Sequence, residues 1–157
     1  MEMKSNNSAS NPVNLGDTTT YQAGVAQSTA HRLLKKFTED CIRPHGITMM
    51  QWFIIGTIHD AGEKGITVTE LSRAVDTNVP YITNTLNLLG SKGIIFRDTN
   101  ENDSRSKRVT INPAYEKTVL EIEADLRTKM REGIYAEITP QELAIYIGVL
   151  RKLTQLR

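Results

Sequence analysis

Between Asn78 and Lys92 the apolar residues Ile82, Leu86 and Leu89 fall at i, i+4 and i+7, the spacing of a helix with one face turned to a core. At 100° per residue the opposite side carries Pro80, Asn84, Asn87 and Ser91, flanked by Tyr81 and Thr83. That outer face holds amides and hydroxyls, which donate and accept hydrogen bonds without the charge of a merely solvated surface. Asn78 is placed to cap the helix, and Pro80 fits its first turn, where a missing N–H costs nothing. Taken alone, this is also what an ordinary amphipathic surface helix looks like.

The neighbouring pattern narrows the choice. Thr67-Val-Thr-Glu70 has the spacing of a capping box and opens a short helix expected to turn Leu71, Ala74 and Val75 inward. Two short helices joined by a tight turn make a helix-turn-helix. Gly93 then stops the second helix. Ile94–Asp98 reads as a strand, residues 99–104 as a polar loop, and Lys107–Ile111 as a half-buried strand pairing back on the first. The predicted core at 65–112 is therefore a winged helix, and the fold class is mostly α with a small β-hairpin wing.

Long amphipathic helices flank this core. A first helix is predicted over 17–43, with Ala26, Ala30, Leu33, Phe37 and Cys41 in helical register and Pro44 as its stop. Thr48-Met-Met-Gln51 is a second capping box, followed by Trp52, Ile55 and Ile58. After the wing, Asn112-Pro113 starts a helix striped by Tyr115, Val119, Ile122, Leu126, Met130 and Ile134. Thr139-Pro-Gln-Glu142 starts a last one through Leu143, Ile147, Leu150 and Leu153. A winged core of this size cannot cover three long apolar stripes from both ends of the chain. They must pack in a bundle within one chain or against a second copy, and twofold pairing is the commonest arrangement of soluble oligomers.

Composition changes little of this. The 157 residues, 39% apolar and 24% charged, fit one globular domain over 17–157 behind a loose Asn- and Ser-rich leader at 1–16. No apolar run approaches the roughly 18 residues of a membrane span, and no signal peptide is expected. A single cysteine excludes an internal disulfide and fits a reducing cytoplasm. The net charge of +1 does not mark a generic nucleic-acid binder, so DNA affinity would have to come from placement, with Arg105, Lys107 and Arg108 grouped at the hairpin.

The segments Gly46–Trp52, Thr67–Val75, Ile82–Asn84, Leu89–Ile95 and Asp103–Lys107 together resemble the multiple-antibiotic-resistance-regulator (MarR) family of transcription factors. The Asp two residues before an Arg in the wing is the most specific of these features. The resemblance implies a homodimer joined through helices 17–43 and 113–157 that binds double-stranded DNA. Pro80, Tyr81, Thr83, Asn84, Asn87, Arg105, Lys107 and Arg108 would meet the DNA, while Asp103 holds the wing. It also implies a small-molecule effector in a crevice for which Trp52, Phe53 and Tyr115 are candidates, no cofactor, and a ligand-responsive repressor as the function. Asn84 stands where the family often has Arg, Asn87 where Asp is common, and Gly90 where Glu is common. Asn112-Pro113 replaces a frequent Leu-Thr-like ending.

The residues around Cys41 allow three other chemistries. Cys41 and His45 could form a nucleophilic pair, but no glycine-rich oxyanion loop accompanies them, and Cys41 lies on the apolar stripe. A zinc site through Cys41, His45 and His31 or His59 lacks carboxylate or paired cysteine ligands at the right spacing. Redox sensing through Cys41 stays open, with Arg43 as its nearest cation. A winged helix serving protein contact without DNA is a further alternative, favoured slightly by the near-neutral charge.

Overall fold

A computed structural model describes residues 15–98 and 107–156. It divides between Leu34 and Lys35 into two compact units. Six helices and a small sheet follow in the order α1 (Thr20–Ile42), α2 (Met49–Asp60), β1 (Ile66–Thr67), α3 (Val68–Ala74), α4 (Val79–Ser91), β2 (Ile95–Arg97), β3 (Arg108–Ile111), α5 (Glu116–Glu132) and α6 (Pro140–Thr154). No helix among the described residues is long and apolar enough to cross a membrane.

The helix starts follow local chemistry. Thr48, Thr67 and Thr139 each accept a hydrogen bond from the backbone N–H three residues on, and Gln51, Glu70 and Glu142 each accept one in return from the threonine's own N–H. The first long helix begins at Thr20, three residues later than expected from Asp17. Thr19 takes the capping role there, its Oγ1 accepting from Gln22 N at 3.3 Å while Gln22 Oε1 accepts from Thr19 N at 2.9 Å. Past Asn112, whose side chain accepts from Ala114 N, a 3-10 turn at Pro113–Tyr115 precedes α5.

The core lies in the unit from Lys35 onward. Ile54, Ile55 and Ile58 of α2 pack with Leu71 of α3, Ile82, Leu86 and Leu89 of α4, Ile95, Val109 and Ile111 of the sheet, and Val119, Ile122 and Leu126 of α5. Burying each such side chain contributes roughly 1.5–3 kcal/mol. The inward face of α3 differs from expectation: Leu71 and Ser72 are buried and Val75 is half-buried, but Ala74 is exposed. Ser72 occupies the inward place, and its hydroxyl donates to the Thr69 carbonyl, so it enters the core without an unmet donor.

The wing base is a three-stranded antiparallel sheet, β1-β3-β2, where sequence reasoning expected a two-stranded hairpin. In register, Ile95 faces Ile111, Phe96 faces Thr110 and Arg97 faces Val109, while Ile66 and Thr67 pair with Val109 and Arg108. Two residues are too few for any periodicity to mark β1. Gly65 permits the pairing: its φ is +65°, and a Cβ there would sit 2.8 Å from the Val109 carbonyl oxygen.

The flanking helices keep much apolar surface in solvent. On α1, Ala26, Ala30 and Leu33 are exposed and Phe37 and Cys41 are half-buried, so the expected stripe is covered only toward Thr38 and Ile42. Of the α5 stripe, Val119, Ile122 and Leu126 are buried, Met130 is half-buried, and the helix ends at Glu132 before Ile134. No residue of α6 is buried, and Ile145, Tyr146, Val149 and Leu153 are all exposed.

Candidate nucleic-acid interface

The turn between α3 and α4 is set by Asp76, a non-glycine residue with a positive φ of 54°. Asp tolerates that left-handed conformation better than most side chains. The Thr77 N–H then reaches the Ser72 carbonyl at 3.0 Å, closing the end of α3. Asn78 starts α4 as the sequence indicated, its Oδ1 accepting from Tyr81 N at 2.8 Å. Gly93, at φ +71°, ends it, and the Ile94 N–H bonds the Leu89 carbonyl at 3.0 Å.

Helix α4 is sharply two-sided. Ile82, Leu86 and Leu89 are fully buried, and Pro80, Asn84, Asn87 and Ser91 are exposed on the opposite side, as read from the pattern. Asn84 and Asn87 make no hydrogen bond to any described residue, so both amides keep all their donors and acceptors for something outside the chain. The hydroxyls are partly engaged: Thr83 Oγ1 donates to the Val79 carbonyl and Ser91 Oγ to that of Leu88, leaving their lone pairs to accept. Tyr81 stands beside them, 41% exposed.

The wing residues fall in two groups. Asp103 and Arg105 lie outside the described residues, as does nearly all of the leader. Lys107 is exposed just before the returning strand. Arg108 is half-buried and turned inward: its Nη1 donates to the Gly65 carbonyl at 2.9 Å and lies 3.8 Å from Glu70 Oε2. It ties β3 to the start of α3. Two backbone and side-chain donors of Thr67, and then Arg108 and Lys64 at longer range, hold the Glu70 carboxyl below its ordinary value.

Sequence reasoning missed Arg97 and Lys92. Arg97, on β2, donates from Nη2 to the Thr83 carbonyl of α4 at 3.3 Å. Lys92, at the C-terminal end of α4, donates from Nζ to the Gly46 carbonyl at 3.2 Å. Only their charge was visible in the sequence, because a bond to a distant backbone carbonyl leaves no periodic trace.

The residues named for an effector crevice differ in their exposure. Trp52 is part of the core, Tyr115 packs half-buried against it, and Phe53 is 43% exposed. Burial pushes the Tyr115 phenol above its ordinary pKa. A described cavity of about 510 Å³ lies elsewhere, between the end of α2, the sheet and the start of α5, lined among others by His59, Glu63, Phe96 and Glu116. Cys41 is a half-buried free thiol, and His45 is engaged with Asp125. Among the described residues, no three His, Cys, Asp or Glu side chains are grouped to hold a metal ion.

Comparison with known proteins points the same way as the geometry. Residues 47–107 match the MarR family. A MarR family transcription regulator of known structure is 27% identical, with a TM-score of 0.71 over 87% of this chain and 88% of its own. The structure of NadR in complex with 4-hydroxyphenylacetate is 19% identical, with a TM-score of 0.71 over 100% of both chains. That of S. aureus MepR in its DNA-binding conformation is 19% identical, with a TM-score of 0.68 over 88% of this chain and 100% of that one.

Proposed function

We propose that this chain, whose residues 47–107 match the MarR family, is a transcriptional regulator that binds double-stranded DNA as a homodimer, acts as a repressor and responds to a small molecule. The observation that carries the DNA reading is the state of Asn84 and Asn87. They stand exposed and unengaged on the outer face of a helix whose inner face is fully buried. An asparagine amide pairs bidentately with adenine N6 and N7 in the major groove, so α4 is the recognition helix. Pro80, Tyr81 and Thr83 would contribute positioning contacts from its first turns. Lys107 and Arg105 would meet backbone and minor groove, with Asp103 bracing the wing. Arg108, spent on Gly65 and Glu70, supports the wing base.

Pairing with a second copy accounts for the exposed apolar faces. An α6 with no buried residue is unstable packing for an isolated chain, and its Ile145, Val149 and Leu153 need a partner surface. The effector is supported by the fold's occurrence in NadR with 4-hydroxyphenylacetate bound. Trp52, Phe53 and Tyr115 remain its candidate lining.

A protein-contact reading draws on Val79, Tyr81 and Leu88, which leave apolar surface exposed on α4. Selection from a random duplex pool decides between the two. Enrichment of an inverted repeat supports regulation through DNA, and failure to enrich any sequence at low salt overturns it.

A further inference from the structure

Helices α2 and α5 lie along one apolar seam, with Ile55 and Ile58 meeting the side that carries Val119, Ile122 and Leu126. At each end of that seam a histidine from the winged side meets a carboxylate on α5. His59, in the last turn of α2, places Nε2 2.8 Å from Glu116 Oε1 in the first turn of α5. His45, in the 3-10 turn before α2, places Nε2 3.0 Å from Asp125 Oδ2. The two carboxylates are nine residues apart, about 13.5 Å along a helix. With a carboxylate as acceptor, Nε2 of His45 is the donor in its bond to Asp125.

Apolar contact is non-directional and tolerates sliding and rotation along a seam, whereas hydrogen bonds fix distance and angle. The His45–Asp125 hydrogen bond at one end and the close His59–Glu116 contact at the other fix a direction as well as a point. Their surroundings reinforce them. Lys129 Nζ holds the same Asp125 oxygen at 2.7 Å, so that carboxylate is oriented from its own helix, and Asp60 lies 3.7 Å from His59 Nδ1. The His45 end is also joined to α4, because Lys92 at the end of that helix bonds the carbonyl of Gly46, the next residue. A chain of polar contacts therefore runs from the recognition helix through residues 45–46 to α5.

We propose that His45 and His59 are positioning residues that fix the angle between the winged domain and α5, and thereby the half-site spacing the protein accepts. The proposal rests on the regulator reading above, since a dimer joined through α5 sets the separation of its two recognition helices by this angle. Neither histidine touches DNA in this scheme.

The test uses the full chain and duplexes whose half-site spacing changes by one base pair at a time. The His45→Ala/His59→Ala double variant should lose about fivefold of the parent's discrimination between its best and next-best spacing, the scale of a partly exposed charged contact. Its affinity for a single half-site should stay within about twofold. His45→Gln/His59→Gln, whose amide nitrogen can stand near Nε2, should restore the discrimination. A merely destabilised variant would lose affinity on every duplex alike. A second measurement is independent of DNA: spin labels at Ser91→Cys and Lys117→Cys in a Cys41→Ser background, diluted with unlabelled chain. The distance distribution should broaden in the alanine pair and narrow again in the glutamine pair. If the parent binds no duplex, the regulator reading fails and the spin-label widths still judge the pinning. Unchanged widths, or an unchanged spacing profile in a parent that binds, overturn the proposal.

Discussion

Arg97 of the wing's first strand donates to the Thr83 carbonyl in the middle of α4, 14 residues back along the chain. A carbonyl inside a helix already accepts from the N–H four residues on, so this bond is a second one on the same oxygen. It links wing and recognition helix through the backbone and leaves the exposed amides untouched.

Arg97→Ala should therefore reduce stability by no more than about 1 kcal/mol, since the bond is solvent-exposed. It should weaken binding to specific and random duplex in similar proportion, because orientation is lost and no base contact is. Urea unfolding and fluorescence anisotropy measure the two effects. A loss of preference at a single base would mean that Arg97 reads sequence itself.

Asn84→Ala should behave in the opposite way. The residue is exposed and has no partner in the described structure, so stability should change by less than about 0.5 kcal/mol. Binding to the preferred site should weaken by about 1–3 kcal/mol, with relaxation confined to one position, an adenine in each half-site. Selection repeated with the mutant checks this, and an unchanged base preference removes Asn84 from the interface.

Acid should loosen the helix starts. Hydrogen bonds from the backbone and hydroxyl of Thr67 lower the Glu70 pKa from its ordinary 4.5, and those of Thr139 do the same for Glu142. Asp125 is lowered from 3.8, first by Lys129 and then by His45. A group with a depressed folded pKa contributes stability fully above its unfolded value, and that contribution disappears as pH falls through the folded value. Stability should thus hold steady above about pH 5 and decline below the ordinary carboxylate range. Thr67→Ala should cost about 1 kcal/mol near neutrality. In urea titrations from pH 7 to 3, the gap between parent and mutant should shrink on the acid side. A constant gap would mean the box contributes nothing through its carboxylate.

The fold was legible wherever a pattern repeated. Ile82, Leu86 and Leu89 gave the orientation of α4 without ambiguity, and three capping boxes were read from a threonine and an acid or amide three residues apart. Non-repeating features were not legible. Strand β1 is two residues long, Ala74 gives up its inward place to a serine that satisfies itself locally, and Thr19 starts α1 where Asp17 was expected to. Within the candidate site, sequence identified which amides face outward. It could not distinguish Arg108, bonded across the sheet to Gly65, from a cation free to meet phosphate. Likewise the carboxylate partners of His45 and His59 lie on α5, far along the chain.

The exposed faces of α6 bear on assembly. Ile145 is 68% exposed and Val149 49%, one turn apart on a helix with no buried residue. If they meet a second copy, Ile145→Glu/Val149→Glu buries charge without partners in the dimer and costs an isolated chain nothing. Sedimentation should show the parent as a dimer and the variant shifted toward monomer, with operator affinity lost together with the dimer. A variant that remains dimeric would place the contact elsewhere.

The last prediction separates two arginines three residues apart. Arg108 is anchored: its guanidinium bonds the Gly65 carbonyl and approaches Glu70, so removing it loosens β3 from β1 and from the start of α3. Arg105 belongs to the wing segment outside the described residues, and its long planar head suits a narrow, strongly negative minor groove. Arg105→Ala should leave unfolding unchanged, weaken binding on many sequences and reduce the salt slope of the binding constant by about one unit, because one counterion-releasing contact is lost. It should also weaken any preference for A/T-rich flanks, which no contact from α4 would explain. Arg108→Ala should do the reverse, lowering stability by about 1 kcal/mol while leaving the salt slope nearly intact. Both variants are measured against specific and random duplex across a salt series, beside urea unfolding. If Arg105→Ala binds random duplex as the parent does, with the same slope, the wing does not touch DNA, and the protein-contact reading gains. If instead Arg108→Ala is the variant that loses a unit of slope, its bond to Gly65 gives way on the duplex and the arginine turns outward to phosphate.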